Sequence, residues 1–322
     1  MREKKKAVYG GQAIVEGVMF GGRKHAVSAI RRNNGEIEYY KEPLQTNATL
    51  QKLKKIPFVR GIVAIIQASI NGSKHLNFSS ERYEVSPEDD EKIAIEKANQ
   101  KNTIATYLGI SVLAVLSFLI GKVIFTLVPV LLATTLKSFF STDFEQVIVE
   151  SLIKLLLLLT YIYLVSLTPF IKRVFQYHGA EHKVINAFEN NLPLTVENVQ
   201  SQSRLHYRCG SSFILFTVVV GMFIYFLVPT NPLWLRIIDR LLLIPVVLGI
   251  AFEVLQFTNL LRNIPVLKWL GYLGLWLQLL TTKEPSNDQV EVSIASFNYL
   301  LSLEKNHDEK ILEFLKNNQL QS

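Results

Sequence analysis

Apolar residues in this chain are gathered into long runs rather than spread at helical spacing. Residues 104–133, 147–171, 211–229 and 237–257 each hold a stretch able to cross a hydrocarbon core, which needs about 20 apolar residues. A fifth run, 264–280 (IPVLKWLGYLGLWLQLL), is shorter and contains Lys268. It reads as a span, a re-entrant segment or an interfacial helix, and its Trp269, Tyr272 and Trp276 suit an interface. Four transmembrane helices are therefore expected, with a fifth left open.

Between and around these runs the pattern changes. In residues 7–43, AVSAIRR, then Asn33-Asn34-Gly35, then EIEYY is a hairpin signal, because Asn-Gly supplies the positive φ angles of a tight turn. Residues 46–77 read as helix, with Thr46 and Thr49 as candidate caps and a break at Pro57. The part IPFVRGIVAIIQASINGSKHL is too apolar for an exposed helix and holds Arg60, so it is expected to lie on the membrane or pack on the bundle. Residues 79–102 read as a charged, solvated linker, helical after Pro87. Residues 286–303 predict an amphipathic helix with Val290, Ile294, Phe297 and Leu301 on one side, and a short helix at 308–317 follows. No internal repeat and no low-complexity tract interrupts this order.

The predicted organisation is a cytoplasmic β-hairpin region (1–45), a membrane-associated helix and charged linker (46–102), a transmembrane hairpin (103–171) and a cytoplasmic loop (172–210). A second transmembrane hairpin (211–257), an interfacial or re-entrant segment (258–285) and a cytoplasmic helical tail (286–322) complete it. The fold class is mainly α, a polytopic membrane protein with a small cytoplasmic β-containing N-terminal region.

Composition sharpens this picture. A chain of 322 residues could hold two soluble domains, but an apolar fraction of 49% concentrated in runs argues for the bilayer as its partner. Met1 to Lys6 is basic, yet the following AVYGGQAIVEGVMFGG is Gly-rich and carries Glu16, so no cleavable signal is expected. A single cysteine, Cys209, excludes an intramolecular disulfide.

The net charge of +7 is distributed as for an inner leaflet, and no nucleic-acid partner is expected. Residues 1–103 hold 18 Lys/Arg against 12 Asp/Glu, and residues 172–210 hold five Lys/Arg. The turns at 137–146 and 230–240 hold one and two. The positive-inside rule then puts the N-terminus and the 172–210 loop in the cytoplasm, and four spans return the C-terminus there. The expected location is the inner (cytoplasmic) membrane, multi-pass.

Candidate chemistry centres on His178-Gly179-Ala180-Glu181-His182, just past the second run. On a helix the two histidines share a face and can grip one metal ion. Glu181 gives the H-x-x-E-H order, in which the carboxylate is a candidate general base. Two of only six histidines lie here at ligand spacing, against the plain alternative of polar residues on a helix leaving the membrane. Zinc is the first choice of divalent metal for imidazole and carboxylate.

Glu253, inside LGIAFEVLQF, is the candidate third ligand, since an intramembrane carboxylate needs a partner; pairing with Arg262 or Lys183 is the alternative. His206 and Cys209 form H-x-x-C on the same side and could add ligands, although Cys209 also reads as a small residue at a helix start. Glu16 and Gln12, among glycines, could line the site or belong to a packed loop. Glu150 and Lys154 read as a helical i,i+4 pair. Phosphate-binding, dinucleotide and nucleophile-elbow motifs are absent, so no organic cofactor is expected.

The combination of GGQAIVEGVMFGG, FQYHGAEHKVINAFE, HYRCGSSF and TTKEP resembles the YqhQ-like family of bacterial membrane proteins, from about Gly10 to Ala295. That family is a domain of unknown function, in places labelled a metal-dependent enzyme. The resemblance implicates Gly10, Gly11, Gln12, Glu16 and Gly17, then His178, Glu181 and His182, then His206, Arg208, Cys209 and Gly210. Lys283 stands where the family segment is written with Arg, and Phe20-Gly21-Gly22-Arg23 replaces the family's Arg-Gly-Pro turn.

The expected function is a zinc-dependent hydrolase at the cytoplasmic membrane surface, acting on a peptide or lipid-linked substrate. In it His178, His182 and Glu253 hold the metal and Glu181 takes a proton from water. The alternative is a non-enzymatic membrane factor (transport, assembly or chaperone) with a structural His/Glu cluster. Thr160, Ser166 and Thr217 are scattered among the apolar runs, which counts against a channel.

Overall fold

The computed structural model describes residues 9–44, 48–83, 85–90, 120–121, 123–207, 209–261 and 269–305. Most of the expected first span, the helix at 308–317, Arg208, Arg262 and Lys268 lie outside the described residues.

The N-terminal region is a four-stranded antiparallel meander, β1 (Gly10–Ile14), β2 (Gly17–Gly21), β3 (His25–Arg31) and β4 (Ile37–Pro43), paired in chain order. The expected Asn-Asn-Gly hairpin joins β3 to β4, with Gly35 at φ +88°. A second hairpin precedes it, pairing Ile14 with Gly17 across a turn in which Glu16 takes φ 51°. Positive φ is uncommon outside glycine and marks Glu16 as held by its surroundings.

The helices described are α1 (Ala48–Leu53), α2 (Val59–Arg82), α3 (Val123–Thr135), α4 (Asp143–Ser166), α5 (Pro169–Glu189) and α6 (Val196–Gln200). They continue as α7 (Ser211–Tyr225), α8 (Leu233–Leu242), α9 (Ile244–Leu261), α10 (Trp269–Thr281) and α11 (Asn287–Glu304). Pro57 separates α1 from α2 as expected, but α2 runs on to Arg82, so Ser79 is buried in a helix rather than solvated in a linker. The segment 172–210 is likewise not a loop throughout. Pro169 at the first turn restarts the chain immediately after α4, and α5 continues to Glu189.

Two cores result. In the first, α5 and α11 cover one face of the sheet, and Phe20, Tyr9 and Phe188 all pack edge-on around Phe297. Ser296 Oγ donates to the Val18 carbonyl at 2.9 Å, fixing α11 against β2. The expected apolar stripe of this helix is present, with Val290, Phe297 and Leu301 buried. The second core joins α4, α7 and α9 through Val147, Phe216, Val220 and Ala251.

Among the described residues, α4 is long and apolar enough to cross a membrane. The run at 237–257 is divided between α8 and α9, which meet the same criterion only as a pair bent by 49°. α3 and α7 are apolar but shorter. The chain is thus mainly helical with a small N-terminal antiparallel sheet.

Candidate metal centre

α5 brings His178, Glu181 and His182 together under strand β1. Gly179, next to His178, lets the helix approach the backbone of Lys283, where a Cβ would collide with the Lys283 carbonyl. Lys283 N–H donates to Phe175 O at 2.9 Å, so the Thr281–Pro285 string lies along α5. Glu284 ties this string to Lys183 at 3.0 Å and to Arg204 at 3.3 Å.

Both histidines are oriented by backbone carbonyls. His178 Nδ1 lies 2.8 Å from Thr281 O, and His182 Nδ1 lies 2.6 Å from Arg204 O. A carbonyl only accepts, so each Nδ1 carries the proton and each Nε2 presents its lone pair. Such a bond from the far ring nitrogen is the usual support of a metal-ligating histidine.

Cys209 supplies the third donor. His178 Nε2 is 3.2 Å from Cys209 Sγ, and ligand atoms of His178, His182 and Cys209 all lie within 4.8 Å of one another. Ser211, opening α7, donates its backbone N–H to Sγ at 3.4 Å. Two imidazoles and a thiol are a donor set suited to zinc, and three protein ligands leave a fourth position open. The residues present therefore fit a metal ion.

Glu181 sits beside this group rather than in it. Its Oε2 is 3.5 Å from His182 Nε2 and 3.9 Å from His178 Nε2. Burial raises the Glu181 pKa, opposed by His178, His206 and the Gly11 N–H. Burial likewise lowers the pKa of His182, opposed chiefly by Cys209, which favours the neutral, ligating imidazole.

The other expected site residues are placed elsewhere. Glu253 is a correction: it does not join the ligand group, because its carboxylate accepts from the Phe58 N–H at 3.0 Å and from Arg60 Nε at 2.8 Å and Nη2. Lys183, one alternative partner, is engaged by Glu284 and by the Gln200 and Gln202 carbonyls, and Arg262 lies outside the described residues. His206 also stays out. Its ring is 5.7 Å from that of His182, its Nε2 is 3.6 Å from Glu189, and its backbone is clamped by Gln278.

Glu16 is taken by Arg173, at 2.6 Å from Nε, and by the Tyr177 hydroxyl at 3.3 Å. Gln12 packs its side-chain amide over Gly72 of α2. Both serve the hairpin that roofs α5. What sequence reasoning missed is this roof: Gly11 stands directly over Glu181, and a Cβ there would fall 2.6 Å from Glu181 Cγ. Beside His206 opens a cleft of about 450 Å³ lined by Asn186, Glu189, Gln202, Tyr207 and Leu275.

Residues 56–303 match the family described as "Protein of unknown function (DUF1385)". The chain is 64% identical over 303 residues to a Bacillus subtilis (strain 168) protein described as "Uncharacterized protein YqhQ", a match covering 94% of this chain and 95% of that one. No solved structure matches the fold.

Proposed function

Because the chain belongs to the YqhQ-like family of unknown function, DUF1385, whose descriptions name no reaction, we propose from its site that it is a membrane-embedded, metal-dependent hydrolase. His178, His182 and Cys209 hold the ion, zinc by preference, and Glu181 is the general base. The observation that carries this is the pairing of each histidine Nδ1 with a backbone carbonyl, which turns two bare Nε2 atoms toward one thiol. A closed structural site would recruit a fourth protein donor; His206 faces Glu189 instead, and Glu181, whose Oε2 lies 3.5 Å from His182 Nε2, is assigned here as base rather than ligand.

A metal held by His178, His182 and Cys209 would supply a Lewis acid and lower the pKa of a water. Glu181 would take one proton from a water attacking a carbonyl carbon, and return it to the leaving nitrogen or oxygen as the C–N or C–O bond breaks. Burial beneath β1 keeps bulk water from competing for this carboxylate. The cleft beside His206 admits the substrate, a peptide or lipid-linked molecule.

The chain sits in the inner membrane as a multi-pass protein, both ends cytoplasmic, with α3, α4, α7 and the bent α8–α9 pair as four spans. Support comes from large apolar side chains exposed along the helices, Leu156 at 63% and Phe223 at 62% among them, which water disfavours and lipid accepts.

The test is turnover of a quenched-peptide and ester library by full-length protein in liposomes, beside Glu181→Gln. Wild type should cleave at least one substrate, and Glu181→Gln should lose about 10²–10⁴-fold while keeping its metal. Undiminished turnover in Glu181→Gln would remove the base from the mechanism, and loss of metal would make Glu181 a ligand.

A further inference from the structure

The face of α5 that carries the two histidine ligands does not end at His182. His178, His182, Asn186 and Glu189 follow one another at spacings of four, four and three residues, which keeps them on one side of the helix. Asn186 and Glu189 line the cleft of about 450 Å³, and His206, another of its walls, has its ring 5.7 Å from that of His182. Glu189 therefore stands in the cleft about 10 Å beyond His182 along the helix axis.

The hydrogen-bond inventory of this cleft is one-sided. Asn186 spends both amide hydrogens on the protein, at the Ser203 carbonyl (2.7 Å) and the Leu205 carbonyl (3.1 Å). Gln202 spends both of its own on Asn198 O at 3.2 Å and Ser201 Oγ at 2.9 Å. Asn190 gives one to Gln202 Oε1 at 2.9 Å. The lining is left rich in acceptors, the amide oxygens of Asn186 and Asn190 and the carboxylate of Glu189, whose side chain is 27% exposed. Among the described residues that line it there is no lysine or arginine.

Such a lining is unsuited to a phosphate, which needs donors and would be repelled by the carboxylate. It suits a ligand that donates and is positive. Tyr207 sits on Gly271 of α10, where a Cβ would fall 2.9 Å from its Cε1, and gives the cleft an aromatic wall of the kind cations favour. Leu275, one turn further along α10, offers cover for an aliphatic stem. Glu189 Oε2 lies 3.6 Å from His206 Nε2, and a neutral imidazole there leaves its negative charge in place.

Resting on the hydrolase reading of the adjoining metal centre, we infer that the substrate is a peptide bearing a positive group, which Glu189 selects. The group is a Lys or Arg side chain or a free amine. An extended peptide covers about 10 Å in roughly three residues, which sets the distance of that group from the bond cut. The chain carries a net charge of +7, so attraction of a cation is local to this cleft and runs against the overall field.

The test is binding of short alanine peptides with a neutral fluorophore, read by anisotropy with full-length protein in neutral detergent. It is run at pH 8, above the ordinary imidazole pKa of about 6.5, and in a Glu181→Gln background that leaves the peptides whole. Three peptides have blocked ends and carry lysine, norleucine or glutamate at one position; a fourth is the norleucine peptide with a free amino terminus. The lysine or the free-amine peptide should bind about tenfold tighter than blocked norleucine, and whichever does identifies the source of the cation. Adding Glu189→Gln should erase that preference, and Glu189→Lys should turn it toward the glutamate peptide. Should Glu189→Lys not fold, the near-isosteric Glu189→Gln decides alone. Equal binding of all four peptides, or a preference that survives Glu189→Gln, would overturn the assignment. A Glu189-dependent preference without cleavage of any peptide by wild type would keep the cleft and sink the hydrolase reading. Cleavage without charge preference would do the reverse.

Discussion

Gly11 and Glu181 meet across 170 residues of sequence: a Cβ on Gly11 would lie 2.6 Å from Glu181 Cγ and 2.9 Å from its Oε1. The same Cβ would lie 2.8 Å from the Met19 carbonyl, backbone that cannot turn aside. Gly11→Ala should therefore displace Glu181. The expected cost is about 1–3 kcal/mol of stability, as for overpacking elsewhere, and roughly 10²-fold in turnover, with metal retained. Kinetics and metal analysis on one preparation check this; full activity in Gly11→Ala would free Glu181 from the roof.

Removing Glu150 leaves two buried guanidiniums, those of Arg236 and Arg240 on α8, without a counter-charge. Glu150→Ala is expected to destabilise the bundle by about 3–5 kcal/mol, the range for breaking a buried ion pair. Denaturation in detergent measures it. A change near zero would mean that the Arg236–Glu150 and Arg240–Glu150 bonds contribute no more than exposed pairs do.

Arg60 and Glu253 form a partly exposed pair, with side chains 40% and 20% accessible. A double-mutant cycle with alanine at each should give a coupling of about 0.2–1 kcal/mol. Substituting Glu253 should leave the metal content unchanged, because its carboxylate serves α2 and not the histidines.

His75 gives a pH dependence. Fully buried on α2 and sharing a hydrogen bond through Nδ1 with Ser28 Oγ, it has its pKa lowered from 6.5 to about 4, mainly by burial. Glu42 opposes that shift and Lys74 adds to it. Below 6.5 the unfolded chain binds a proton that the folded chain refuses, so stability falls as pH drops from 6.5 to about 4 and levels off beneath. Unfolding midpoints across this window should fall less steeply in His75→Asn than in wild type. Parallel slopes would show that His75 does not drive the loss.

Part of this architecture is written locally and could be read directly. Asn34-Gly35 announces its hairpin, Pro57 its break, and the 290–301 stripe its helix, because each depends on residues within one or two turns of each other. The i,i+4 spacing of His178 and His182 belongs to the same kind of signal. The remainder depends on long-range partners. Arg60 meets Glu253 from 193 positions away. Arg236 and Arg240 reach Glu150 across 86 and 90 positions, so the i,i+4 reading with Lys154 gave its main partners wrongly. The carbonyls of Thr281 and Arg204, which orient the two imidazoles, have no side-chain signature at all. The Thr281–Pro285 string drew notice only through family resemblance, and its backbone explains why its residue types say little.

Span counting carries over only in part, for a different reason. A run of apolar residues fixes neither where a helix ends nor whether it bends. The chain leaves α7 at Tyr225 and divides the next run at Leu243. Hydropathy alone does not register either break.

The central claim is that His178, His182 and Cys209 hold one metal ion. Elemental analysis of detergent-purified, chelator-free protein tests it most directly, comparing wild type with His182→Ala, Cys209→Ser and Glu253→Ala. The account predicts close to one zinc per wild-type chain, lost in His182→Ala, lost or strongly reduced in Cys209→Ser, and kept in Glu253→Ala. A folded wild type that takes up no transition metal on reconstitution, or one that loses it with Glu253 and keeps it without Cys209, would contradict the claim.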